Sequence, residues 1–182
     1  MTQTQGGVLV AFGASLAWLG APPARTVQAA ARSLARFGPL TLSPLYDSPA
    51  WPDPAAPPYV NAVARWAPTL GPRAALAALL ATEAAFGRRR GSANAPRTLD
   101  LDLLAHGDQV RDGEDLTLPH PRLSERDFVL LPLRDVAPGW RHPVTGRTVE
   151  ALIGALPTTA ALQRAGSPVD QGAANRGGRP AP

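Results

Sequence analysis

The sequence contains no cysteine and no lysine. The absence of cysteine excludes disulfide bonds, thiolate catalysis and cysteine-ligated zinc, and it agrees with a cytoplasmic location. There is no run of apolar residues long enough to cross a bilayer, and the N-terminus lacks the basic segment of a signal peptide. We therefore expect a cytoplasmic protein with no membrane partner.

Because lysine is absent, all 18 basic residues are arginine, and they give the chain a net charge of +4. A positive surplus favours a polyanionic ligand. The longest basic run is Arg88–Arg90, so a small phosphate ligand is favoured over a nucleic acid. The length of 182 residues suits one domain with its own core. We assign that domain to residues 1–165, and we expect the Gly- and Pro-containing stretch 166–182 to be a disordered tail.

Hydrophobic patterning predicts about four strands, two long helices and one short helix. The strands are expected at 8–12, 40–48, 59–66 and 98–105, and the helices at 22–37, 71–87 and near 148–156, with a further apolar segment inside 116–136. A stiff, proline-rich loop occupies 49–58. The connection between 40–48 and 59–66 is too short for a crossover helix. The pattern therefore predicts an α+β fold with a mostly antiparallel sheet.

Two acidic residues interrupt the apolar run "TLDLDLLA". On a strand, Asp100 and Asp102 would point to the same face, about 7 Å apart, while the intervening leucines point to the core. Two carboxylates at this spacing suit Mg²⁺ held jointly with phosphate oxygens. The same pattern is also typical of an edge strand that shows its polar face to water.

The residues before this strand allow a similar pair of interpretations. Helical spacing places Glu83 on the same face as Leu76, Leu79 and Leu80, so Glu83 is either a solvated edge residue or a carboxylate aimed into a site. Arginine clusters bind phosphate, but a basic run at a helix C-terminus also complements the helix dipole.

Three histidines and no cysteine do not form a zinc motif. His120 stands between two prolines, which indicates either a positioned ring or an ordinary loop histidine. No motif surrounds His106 or His142.

Two ordered motifs carry a family resemblance. "PRTLDLD" (96–102) and the block from Pro119 to Phe128 resemble the signatures of the 6-hydroxymethyl-7,8-dihydropterin pyrophosphokinase family. "LYDSP" (45–49), "YVNAV" (59–63), Glu83 and "GRRR" (87–90) are supporting matches. The resemblance extends from about residue 8 to 156. It implies a ferredoxin-like α+β sandwich and the transfer of pyrophosphate from ATP to a pterin in folate biosynthesis.

The resemblance also implies roles for individual residues. Two Mg²⁺ ions would be held by Asp100 and Asp102, and small molecules, namely ATP and the pterin, would be the partners of a monomer. The catalytic residues would be Arg88, Arg90, Arg97, Asp100 and Asp102. The ATP-binding residues would be Glu83, Arg88, Arg90, Leu103, Thr117, His120 and Arg126. The pterin-binding residues would be Ser48, Pro49, Trp51, Tyr59, Asn61, Asp100 and Phe128.

The chain departs from the family pattern at several positions. Ala14 and Ser15 follow Gly13 where a Gly-Ser-Asn run is common, and Asp115 stands where some members have arginine. Ala93 and Asn94 replace an arginine and a tryptophan in a loop that is expected to cover the ligands. Because this arginine is missing, the alternative is that the chain is a non-catalytic relative that binds a nucleotide or a pterin. A sugar-nucleotide transferase and an RNA-binding protein are weaker options.

Overall fold

The computed structural model describes residues 7–50, 53, 55–89, 95–157 and 162–165. Within these ranges the chain forms six strands and four α-helices. The strands are β1 (Val8–Ala14), β2 (Leu40–Leu42), β3 (Tyr46–Ser48), β4 (Tyr59–Trp66), β5 (Asp100–His106) and β6 (Gln163–Arg164). The helices are α1 (Pro23–Leu34), α2 (Pro72–Ala85), α3 (Asp127–Val136) and α4 (Val149–Ile153).

The strands form one sheet in the order β5-β1-β4-β3-β6, and β2 pairs with the far end of β4. Every pairing between the described strands is antiparallel. The order of elements is strand, helix, two short strands, strand, helix, strand, which is the ferredoxin-like arrangement. The predicted α+β fold with an antiparallel sheet is confirmed.

The single strand expected at 40–48 is wrong, because Ser43, Pro44 and Leu45 separate β2 from β3. Pro44 has no amide hydrogen to donate to a ladder. Ser43 instead bonds to β4 with both backbone and side chain: its N–H donates to Val63 O at 2.9 Å, and its Oγ accepts from Val63 N at 3.1 Å. The chain therefore bends at Pro44 without leaving β4.

The helix boundaries differ slightly from the expected ones. Residues 35–37, expected at the end of α1, form a 3₁₀ turn that Gly38 ends. The buried stripe of α2 includes Ala75, Leu79 and Glu83. Leu80, expected on this stripe, is 39% exposed. The apolar segment in 116–136 contains a helix, α3, that the apolar pattern alone did not predict.

The sheet separates two hydrophobic cores. On one face α1 and α2 pack against β1, β4 and β5, with Phe12 and Trp66 fully buried. On the other face α3 and α4 cover Leu9, Val63 and Leu104. Among the described residues, no helix has both the length and the apolarity needed to span a membrane.

Candidate active site

Two carboxylates project from the start of β5 onto the sheet face that carries α3. Alternation along the strand buries Leu101 and Leu103, while the side chains of Asp100 and Asp102 remain 27% and 32% exposed. Opposite them on β1 are Gly13 and Ala11. Because these two residues have little or no side chain, the sheet face beside the carboxylates stays open.

Three arginines neutralise the two carboxylates. Arg88 pairs with Asp100 Oδ1, and Arg97 Nη1 donates to Asp100 Oδ2 at 2.9 Å. Arg126 Nη1 donates to Asp102 Oδ2 at 3.1 Å. Burial disfavours the charged form of Arg88, but the hydrogen bond and the charge of Asp100 outweigh it and raise the pKa of Arg88.

Glu83 is buried, with 6% of its surface exposed, so the interpretation of a solvated edge residue is wrong. Its Oε1 accepts from Leu101 N at 2.8 Å and from Arg88 Nη1 at 2.6 Å. β5 pairs only with β1 among the described strands, so Glu83 satisfies an amide on the free edge of the sheet. Burial raises the pKa of Glu83, although the Leu101 amide and Arg88 oppose the shift.

An inner cavity of about 350 Å³ opens beside the carboxylates. Its lining includes five of the expected pterin-binding residues besides Asp100, namely Ser48, Pro49, Tyr59, Asn61 and Phe128. Asn61 and Ser48 are buried, and Asn61 Nδ2 donates to Ser48 Oγ at 2.8 Å. Tyr59 and Phe128 add aromatic rings to the lining. Trp51 lies outside the described residues.

An outer cavity of about 590 Å³ lies between α2, β5 and the 115–121 segment. Its lining includes the expected ATP-binding residues Glu83, Arg88, Leu103, Thr117 and His120. Arg126, also expected there, lines the inner cavity instead. Arg90, Ala93 and Asn94 lie outside the described residues. Asp115 lines this cavity too and pairs at 3.6 Å with Arg73, an exposed contact.

His120 is half-buried and lies on the loop beside the free edge of β5. Its Nδ1 accepts from Arg122 N at 3.1 Å, and its own backbone N–H donates to Leu104 O at 2.8 Å on the free edge of β5. A neutral ring that accepts at Nδ1 carries its hydrogen on Nε2. Burial lowers the pKa of His120, although the charge of Asp102 opposes the shift.

The two cavities share a wall. Arg97, Asp100 and Asp102 line both of them. No cluster of three or more potential metal ligands occurs in the described part of the chain. Two hard carboxylates nevertheless suit Mg²⁺ that takes its other ligands from phosphate and water, so the residues present fit magnesium bound together with a nucleotide.

Sequence reasoning missed three charged residues of the inner cavity. Arg122, Glu125 and Asp127 line it together with Phe128. Arg122 precedes the 3₁₀ turn Leu123–Glu125, Glu125 ends it, and Asp127 begins α3. The only available signal was their position inside the second motif, between His120 and Phe128.

A profile of the 7,8-dihydro-6-hydroxymethylpterin-pyrophosphokinase family matches residues 9–138. The chain belongs to this family. The matched segment contains both motifs and all the described residues of the two cavities.

Curated relatives of this family agree. A 2-amino-4-hydroxy-6-hydroxymethyldihydropteridine pyrophosphokinase from Pseudomonas aeruginosa is 40% identical over 153 residues, which cover 82% of this chain and 91% of the relative. The enzyme of the same name from Synechocystis sp. is 43% identical over 107 residues, or 59% of this chain and 55% of the relative. The Folic acid synthesis protein fol1 of Pneumocystis carinii is 37% identical over 60% of this chain and 15% of its own length.

Solved structures agree on the fold. A crystal structure of HPPK-DHPS matches with a TM-score of 0.61 at 11% identity, covering 81% of this chain and 45% of that one. HPPK-DHPS from Plasmodium falciparum matches with a TM-score of 0.60 at 13% identity, covering 81% and 43%. The predicted family and the predicted class, a pyrophosphokinase of folate biosynthesis, are confirmed. None of these matches favours the non-catalytic alternative.

Proposed function

We propose that the chain transfers a pyrophosphoryl group from ATP to 6-hydroxymethyl-7,8-dihydropterin. The hydroxymethyl oxygen attacks the β-phosphorus and its proton passes to water. The bond from that phosphorus to the oxygen bridging the α-phosphorus breaks, and AMP leaves with this oxygen. The observation that carries the proposal is the wall of Arg97, Asp100 and Asp102 shared by two cavities in a chain of this family.

The inner cavity takes the pterin in this proposal. Asn61 and Ser48 offer amide and hydroxyl groups to the polar edge of the ring system, and they already hold each other in place. Tyr59 and Phe128 offer aromatic faces to a flat ring. The hydroxymethyl group then points toward Asp100 and Asp102.

The outer cavity takes ATP. Arg88 and Arg97 supply guanidinium groups that bind phosphate oxygens, and His120 offers a hydrogen-bond donor at Nε2. Orientation of the two substrates across the shared wall is the main contribution of these side chains.

Asp100 and Asp102 would hold two Mg²⁺ ions, which neutralise the charge of the transferred phosphates when bound. Titration of Mg²⁺ into the protein with a non-hydrolysable ATP analogue and the pterin should give a stoichiometry of two. A stoichiometry of one would contradict the two-ion arrangement.

A turnover assay tests the function. Purified protein, ATP, Mg²⁺ and the hydroxymethyl dihydropterin should yield equal amounts of AMP and pterin pyrophosphate. The variant Asp102→Asn should lose at least about 100-fold in kcat, because it removes a ligand needed for charge stabilisation. The matched control is Asp112→Asn, since Asp112 is exposed and lines neither cavity. Absence of both products at every Mg²⁺ concentration would refute the proposal.

We further propose that the active unit is a monomer in the cytoplasm, where ATP is supplied. Residues 1–165 are proposed as the folded domain, with 166–182 dispensable for turnover.

A further inference from the structure

The segment that follows β1 is held against Arg97. The amides of Ser15 and Leu16 donate to Arg97 O at 2.9 and 3.1 Å. In return, Arg97 N donates to Ser15 Oγ at 3.1 Å. Arg97, whose guanidinium binds Asp100, is thus fixed at both its backbone carbonyl and its backbone amide.

The same segment also reaches the end of α2 through Trp18. The indole ring lies 4.9 Å from the Phe86 ring, centroid to centroid, with the planes tilted by 45°. A Cβ atom built on Gly87 would lie only 2.7 Å from Trp18 Nε1. Gly87 also has a φ of +74°, which disfavours any other residue. Trp18 therefore packs directly on the backbone of Gly87.

Gly87 is the residue before Arg88. The amide of Arg88 donates to Glu83 O at 3.0 Å, and its guanidinium contacts Glu83, Leu99 O and Asp100. Trp18 is itself held by two backbone hydrogen bonds with Ala21, of 3.0 and 2.8 Å. Because the indole ring is fixed on Gly87, it restricts the direction in which the chain leaves α2. It therefore restricts the position of the Arg88 backbone.

We propose that Trp18 is a positioning residue for Arg88 in the reaction. The proposal rests on the proposed function, which assigns Arg88 to the phosphates of ATP. Trp18 touches neither cavity, so its effect passes through Gly87 and the Arg88 backbone. If Trp18 served only to fill the core, its loss would lower stability but would not act selectively on the nucleotide.

Steady-state kinetics separate the two roles. Trp18→Ala should raise KM for ATP by about tenfold and leave KM for the pterin within about twofold. Trp18→Phe should restore KM for ATP, because a second ring can still pack on Phe86 and Gly87. Leu19→Ala is the matched control: Leu19 is the next residue and is 85% exposed. Equal changes in both KM values, or no rescue by Phe, would overturn the proposal.

A double-mutant cycle tests the route of the effect. If Trp18 acts through Arg88, the Trp18→Ala/Arg88→Ala double variant should have the same KM for ATP as Arg88→Ala alone. If the double variant instead shows the product of the two single fold-changes in KM for ATP, Trp18 acts independently of Arg88 and the proposal is overturned.

A measurement without nucleotide keeps this inference distinct from the proposed function. Hydrogen exchange at the Arg88 amide should become at least about fivefold faster in Trp18→Ala. The Val10 amide, in the centre of the sheet, should keep its rate. An unchanged rate at Arg88 would overturn the positioning role, whereas an inactive wild-type protein would overturn the proposed function.

Discussion

Asp100 and Asp102 share a sheet face but have different partners. Among the described residues, Asp100 binds the guanidiniums of Arg88 and Arg97, whereas Asp102 binds only that of Arg126. In the absence of ligands, removal of the Asp100 charge leaves Arg88 with Glu83 as an acidic partner, and it leaves Arg97 with no carboxylate partner among the described residues.

This difference predicts unequal stability for two variants that should both be inactive. Asp100→Asn should lower the free energy of unfolding by about 2 kcal/mol, and Asp102→Asn by about 1 kcal/mol. Urea denaturation without nucleotide or Mg²⁺ measures both values. Equal losses would contradict the view that Arg88 and Arg97 depend on Asp100.

At the level of residues, the local sequence pattern predicted which way a side chain points better than it predicted the hydrogen-bond partners of that side chain. Alternation with buried leucines was enough to place Asp100 and Asp102 on one face. Helical spacing placed Glu83 on the buried face of α2, but its acceptor role depends on Leu101, which is 18 residues further along the chain. Such a partner becomes evident only once α2 is known to lie along the edge of β5.

Glu83 joins two elements, since it belongs to α2 and its carboxylate accepts the Leu101 amide of β5. Glu83→Gln keeps an oxygen acceptor for this amide, whereas Glu83→Ala leaves it buried and unpaired. We expect the alanine variant to be about 2 kcal/mol less stable than the glutamine variant. Urea denaturation of the two variants provides the comparison, and equal stability would rule out an acceptor role.

A second connection ties the last strand to α3. Tyr46 Oη on β3 donates to Asp135 Oδ2 at 2.6 Å, and Arg164 on β6 contacts both Tyr46 Oη and Asp135. Burial, followed by the hydrogen bond to Asp135, raises the pKa of Tyr46 above its ordinary value. The phenol is therefore a full donor at neutral pH, and the bond weakens only as the pH rises through the folded-state pKa.

Tyr46→Phe should lower the free energy of unfolding by about 1.5 kcal/mol, because it leaves Asp135 with one partner fewer. Arg164→Ala in the Tyr46→Phe background should then cost less than it does in the wild type, since the three groups form one network. Thermal or urea unfolding of the four proteins measures this coupling. Strict additivity would argue against a shared network.

Strands and helices were predictable where their hydrophobic pattern extended over many residues. β4 matches its expected bounds, and α2 differs from them by one or two residues. The short strands were not predictable, because β6 has only two residues and carries no periodic signal. α3 was missed because Pro132 interrupts a run that otherwise has helical character.

Over the whole molecule, half-buried histidines should make stability depend on pH. Burial lowers the pKa of His142 from its ordinary value, and the ring Nδ1 accepts from the amides of Val144 and Thr145. A group whose pKa is lower in the folded state contributes stability above its unfolded-state pKa. That contribution is lost as the pH falls through the folded-state value.

The free energy of unfolding should therefore decrease between pH 7 and 5. The decrease should be smaller in His142→Asn, since asparagine can still accept from the turn but does not titrate. His120, whose pKa burial also lowers, accounts for part of the remaining decrease. Urea titrations at several pH values test this, and parallel pH profiles for wild type and variant would refute the role of His142.

The class of the fold followed from loop lengths and alternation, but the strand order did not. A connection of about ten residues between neighbouring strands indicated an antiparallel pair. The placement of β1 between β4 and β5 depends on which apolar faces fit together across both cores. The location of the cavities depended on this order as well.

The wall that separates the two cavities has a thermodynamic consequence. Any ligand that takes hydrogen bonds from Arg97 or Asp100 on one side changes which of their donors and acceptors remain for the other side. Affinities linked in this way are reciprocal: the factor by which the nucleotide alters the affinity for the pterin equals the factor by which the pterin alters that for the nucleotide. If the two substrates bind as proposed, we expect each to change the affinity for the other, and we expect a compound that spans the wall to gain from both halves at once.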